Sequence, residues 1–179
     1  MRFAVIMRKQ FVDNPWISYR WVPHEVLPDF GQFTNIPSVE NKFVGQFLGR
    51  DEQGESWLFT GYGLNLFPDE GEGYYLNLSA IQPCWFVMWR LEEDIERYID
   101  AQSIELAKSE TSIAVPLRIC VSYNEAGRLL DGGESVDSVP LSSEHASWLQ
   151  EYVNENYRPE PKKRHKPASF KGAQRPAEE

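Results

Sequence analysis

Residues 115–141, VPLRICVSYNEAGRLLDGGESVDSVPL, decide the fold. Val115, Leu117, Ile119, Val121 and Tyr123 alternate with Pro116, Arg118, Cys120 and Ser122, the period-two pattern of a strand with one face in a core. Asn124 then stands as a helix N-cap, Glu125 occupies the electropositive first turn, Leu129 and Leu130 supply an apolar side, and Gly132 and Gly133 offer a left-handed stop. A strand therefore runs straight into a short helix. Beyond it, the acids Asp131, Glu134 and Asp137 read as an exposed, partner-facing bend that leads to a second helix after Pro140.

Working outward, Phe3, Val5 and Met7 with Ala4 and Ile6 predict a strand over residues 2–8, apolar on both sides. The turn Asp13-Asn14-Pro15 precedes a second strand over 16–23, and residues 42–50 and 56–67 form a hairpin about the turn Asp51–Gly54. Gly61-Tyr62-Gly63 interrupts the latter strand as a bulge; it lacks the third glycine and following helix of a nucleotide loop. Residues 74–79 alternate as a further strand. The run CWFVMWRL, 84–91, is the densest in aromatics and reads as a central strand, with Trp85, Val87 and Trp89 on one face. That face is core or, if open, a platform for a partner.

Residues 92–112 begin with Glu92, Glu93, Asp94 and Glu96, and Leu91, Ile95, Tyr98 and Ile99 lie at helical spacing, which predicts a short amphipathic helix with a solvated acidic face. A last helix spans 144–157, opened by Ser142 or Ser143, with His145, Trp148, Leu149, Tyr152 and Val153 as its stripe and Trp148 in the core. The expected fold class is α+β, mainly β: a curved antiparallel sheet or barrel of six or seven strands, with two helices from the C-terminal third. Residues 1–157 form one domain, and 158–179 a disordered basic tail.

Charge divides along the same boundary. Residues 158–179 hold seven basic and three acidic groups, a net +4, while residues 1–157 carry −13 of the chain's total of −9. Such an acidic body repels a phosphate backbone, so nucleic acid is left to the tail alone. The cluster Lys162, Lys163, Arg164 and Lys166 suits an anionic partner: an acidic protein surface, RNA or lipid. No apolar run is long enough to span a membrane and the N-terminus lacks a signal peptide's pattern, so a cytoplasmic protein is expected. Cys84 and Cys120 stand apart without metal-ligand spacing and read as small buried hydrophobes.

Catalytic arrangements are weak. Ser143, His145 and Asp137 supply the residue types of a hydrolase triad without its nucleophile elbow, and Cys120 with His24 places a thiol in mid-strand, where thiols are inert. No catalytic residue and no metal site is assigned.

Several segments nevertheless resemble one family. Val5-Ile6-Met7-Arg8, Asn14-Pro15-Trp16, Phe86-Val87-Met88-Trp89-Arg90, Val121–Ala126, Leu130–Glu134, Val136-Asp137, Val139-Pro140 and Tyr157–Lys162 are similar to the bacterial domain-of-unknown-function family 3305. Residues 92–112 are longer than that family's usual turn. The resemblance implies genes beside molybdenum- or tungsten-dependent formate dehydrogenases, and members often carry the label molybdopterin-guanine dinucleotide biosynthesis protein A. That chemistry needs a glycine-rich loop after the first strand, and here no glycine occurs before Gly31. The expectation is a non-catalytic accessory protein whose partner is a formate dehydrogenase subunit or maturation factor, met through Trp85, Trp89, Asp131, Glu134, Asp137 and the tail cations. The alternatives are a binder of molybdopterin guanine dinucleotide or a nucleotide, using the tryptophan face, and RNA binding through the tail.

Overall fold

A computed structural model describes residues 1–33, 44–107 and 110–159. The tail cations Lys162, Lys163, Arg164 and Lys166, and with them the expectation for the tail, lie outside the described residues. The strands are β1 (Arg2–Phe11), β2 (Tyr19–Pro28), β3 (Gly45–Asp51), β4 (Gly54–Gly63), β5 (Cys84–Glu92), β6 (Ile113–Cys120) and β7 (Ser135–Pro140). The helices are α1 (Gly71–Leu78), α2 (Ile104–Ala107), α3 (Tyr123–Asp131) and α4 (Ser143–Asn156). The fold is mainly β and antiparallel, with the strands shared between two sheets in the orders β2-β1-β4-β3 and β6-β5-β7.

The two most continuous apolar runs both take positions with a strand on either side. β1 lies between β2 and β4 with Phe3, Ala4, Val5 and Met7 buried, and β5 lies between β6 and β7 with Trp85 and Val87 buried. The sheets are joined through side chains: the rings of Phe3 and Trp85 meet edge-on at 4.7 Å, and the Tyr62 hydroxyl donates to the Pro116 carbonyl at 2.7 Å. At one side β2 lies against β7. Burying a tryptophan such as Trp85 contributes about 4–6 kcal/mol of transfer free energy before ordering entropy is subtracted.

Three segments differ from the sequence expectation. Residues 74–78 belong to helix α1, with Ser79 as its C-cap, because Tyr74 and Asn77 are buried while Tyr75 and Leu76 are exposed, a three-residue and not a two-residue period. The acids after α3 do not end in a bend: Ser135–Pro140 is an edge strand paired with β5 from Trp89↔Ser135 to Cys84↔Pro140. An edge strand that buries only Val139 carries little apolar signal. Finally, the described residues of 92–112 contain a 3-10 turn (Ile95–Arg97) and the four-residue α2 in place of an amphipathic helix.

That last segment has its own structural work. Gly45 donates to the Tyr98 carbonyl at 2.6 Å and accepts from Asp100 N–H at 2.9 Å, and the Phe47 N–H donates to Ser103 Oγ at 2.9 Å. It thereby occupies the outer edge of β3, which would otherwise present unpaired backbone groups. Its end is fixed by Lys9, whose Nζ lies 2.6 Å from both Glu110 oxygens and 4.1 Å from the Tyr19 ring centroid. Helix α4 starts at the expected cap, with Ser142 Oγ accepting from His145 N–H. Leu149 and Val153 are its fully buried members, and Trp148 packs at the margin.

Candidate functional site

The most connected polar cluster stands where β6, α1 and α3 meet. Ser122, not Asn124, caps α3: its Oγ accepts from the Glu125 N–H at 3.1 Å and donates to Glu70 Oε2 at 2.6 Å. Glu70 also receives the Arg128 guanidinium, and Arg118 lies 2.5 Å from Glu125. Burial pushes the Glu70 carboxyl up, but the Ser122 hydroxyl and Arg128 outweigh it and hold it below its usual range. Gly73 is required by the same contact, since a Cβ there would come within 2.0 Å of Ser122 Oγ. One turn later Asn77, 1% exposed, donates to the Cys84 and Val121 carbonyls at 2.8 and 2.9 Å and accepts from the Cys84 N–H at 3.0 Å. A serine with no solvent access and both hydrogen-bonding roles filled is a fastener between elements. It has no path to a substrate.

The other reactive groups are also engaged. His145 Nδ1 lies 3.0 Å from Ser142 Oγ, and its ring packs edge-on against Phe3 and Trp85; burial lowers its pKa below the ordinary 6.5. Asp137 is taken by the Trp89 indole N–H at 2.8 Å, so Ser143, His145 and Asp137 are not drawn into a relay. Cys120 is 2% exposed and burial pushes its thiol up to about 12, whereas His24 is exposed. A thiol in that state is a poor nucleophile. Among the described residues no group of three His, Cys, Asp or Glu side chains is placed to hold a metal ion.

The residues expected to meet a partner separate. Trp85 is a core residue, 1% exposed, and offers no ring face for stacking. Trp89, four residues further along the strand, is only half buried and is fixed by Asp137. Glu134 holds the Arg90 guanidinium with both oxygens, which keeps it below the usual carboxylate range. Glu134 and Asp137 therefore pin β7 to β5, while Asp131 stays exposed at the end of α3.

A surface that sequence reasoning missed lies at the tip of the β1–β2 hairpin. Trp16 is 89% exposed and Ile17 51%, and Phe11 flanks them beneath the Arg50 guanidinium, 5.6 Å from its ring centroid. The turn is built locally: Asn14 Oδ1 accepts from the Trp16 N–H at 2.8 Å, and Val12 N–H donates to Ser18 O at 3.1 Å. The strand accordingly begins at Tyr19, and Trp16 belongs to the turn. Asp13-Asn14-Pro15 was the available signal, because a side-chain-capped turn presents its next residue to solvent. Arg20 stands beside it, bonded to Gln10 at 3.0 Å. Tryptophan and arginine at an exposed tip match the composition of binding hot spots.

A family model described as a protein of unknown function (DUF3305) matches residues 2–166. No curated protein and no solved structure matches the chain.

Proposed function

The chain belongs to the DUF3305 family, and from that premise we propose that it is a cytoplasmic, non-catalytic accessory protein that docks onto a subunit or maturation factor of molybdenum- or tungsten-dependent formate dehydrogenase. The step it serves is assembly, maturation or subunit association. The partner class comes from the genomic setting that the sequence resemblance implies. The observation that supports docking is the hairpin tip, where Trp16, Ile17 and Phe11 expose apolar area on an antiparallel two-strand support. Exposing a tryptophan to water has no folding benefit, whereas burying it in a partner's socket contributes several kcal/mol to association. The engagement of Ser122, Cys120, His145 and Asp137 in internal bonds supports the same reading.

Affinity capture of the tagged full chain from its native host, followed by mass spectrometry, tests the proposal. A formate dehydrogenase subunit or maturation factor among the retained proteins is the expected result. Its repeated absence under low-salt, non-denaturing conditions defeats the assignment of partner.

A further inference from the structure

The segment between β5 and β6 does more than cover the β3 edge, because it encloses a cleft of about 380 Å³. The floor is apolar: Ile99 and Ala107 are buried there, with Ile95 and Ile104 beside them. The rim carries Glu93, Asp94 and Glu96, all exposed. Glu110, on the wall, is neutralised by Lys9, but no rim carboxylate has a cationic partner among the described residues. An apolar floor beneath three carboxylates that have no cationic partner among the described residues selects a cationic occupant with an apolar anchor, and the volume suits one or two side chains.

We propose that this occupant is the chain's own tail, through residues 166–171, KPASFK, with Phe170 on the isoleucine floor and Lys166 and Lys171 at the carboxylate rim. Phe170 is the one aromatic residue after Tyr157, and lysines flank it within four residues on either side. The tail leaves from the far end of the domain. Tyr157 packs on Gly71 beside α1, which is tied to the Cys84 end of β5, whereas the cleft follows the Glu92 end. The thirteen residues from Arg158 to Phe170, twelve Cα–Cα steps, extend up to about 40 Å, enough to cross a domain whose radius of gyration is about 15 Å. Lys162 and Lys163 stay too near the origin. A second copy is the weaker source, since each copy carries −9 and repels the other, while the tether supplies an effective concentration on the order of millimolar. Docked in this way, the basic arm is sheathed until a competing partner displaces it.

Carbodiimide cross-linking of the full chain, with an equal mixture of isotopically light and heavy protein, tests this directly. The expected amide links join Lys166 and Lys171 to Glu93, Asp94 or Glu96 within one isotopic species, and their yield drops about tenfold from low salt to about 1 M as screening shortens. Glu93→Gln/Asp94→Asn/Glu96→Gln removes these links and spares others. Phe170→Ala, which leaves the globular domain untouched, lowers their yield severalfold. Mixed light–heavy pairs, links scattered over other carboxylates, or no tail links at all each overturn the proposal.

Discussion

Asn77→Ala is expected to destabilise the domain more than any exposed substitution, for a reason written in three distances. The Asn77 amide satisfies the Cys84 carbonyl, the Cys84 N–H and the Val121 carbonyl at 2.8 to 3.0 Å, and the side chain is 1% exposed. It thus holds α1 to both β5 and the end of β6. Each such bond contributes about 1 kcal/mol net, and leaving backbone groups buried without partners costs about 1–3 kcal/mol each. Because the groups relax together, a total near 3 kcal/mol is expected, and for a chain of this size that lowers Tm by about 6–12 °C. Asn77→Asp is expected to be at least as damaging, since a carboxylate accepts from the Cys84 N–H but offers the two carbonyls nothing. Thermal unfolding followed by circular dichroism, with urea titration as a second readout, gives the comparison. A loss below about 1 kcal/mol for Asn77→Ala, well under the net worth of three bonds, refutes the claim that this amide locks the helix to the second sheet.

Three further outcomes follow from buried ionisable groups. Lys9→Met leaves Glu110, whose side chain is 11% exposed, without its partner at 2.6 Å, and costs about 3–5 kcal/mol; Lys9→Met/Glu110→Leu recovers most of it, which a urea double-mutant cycle measures. Cys120 and Tyr74 each have pKa values raised by burial to about 12, from ordinary values of 9.0 and 10.0. The folded state holds those protons longer than the unfolded state, so their stabilisation is complete below 9 and is lost as pH rises toward about 12. Cys120→Ala flattens the alkaline limb of stability against pH. His145 shows the opposite sign: burial lowers its pKa below 6.5, so its contribution is present above that value and lost as pH falls through the folded pKa. His145→Phe removes that part of the acid dependence, read from urea midpoints on either side of 6.5.

What the sequence disclosed depended on how local the physics was. β1 and β5 were legible because continuous apolar runs need cover on both faces, and α4 because Ser142 caps it within three residues. β7 was hidden because a strand at a sheet edge pairs by backbone and buries little, so Glu134 and Asp137 looked like loop acids although each holds a residue of β5. Helix α1 was hidden because its buried face includes Asn77, a polar residue satisfied only by carbonyls that the sequence places 7 and 44 positions away. Lys9 is the same case at greater range, its Glu110 partner being 101 positions distant. For the candidate site, alternation correctly put Trp85 and Trp89 on one face, but depth along β5 is set by Phe3 and His145 packing on the first of them. Alternation runs through Trp16 and predicts a strand there, although the Asx turn at Asn14 releases it to solvent.

The proposed function places partner binding on an exposed hairpin tip and not in a catalytic pocket. Dissociation of the captured partner from immobilised full chain tests this most directly, comparing wild type with Trp16→Ala/Ile17→Ala at matched Tm. The double variant is expected to bind about 30-fold more weakly or worse, the effect of losing a hot spot of about 2 kcal/mol. Equal affinity in the two proteins contradicts it.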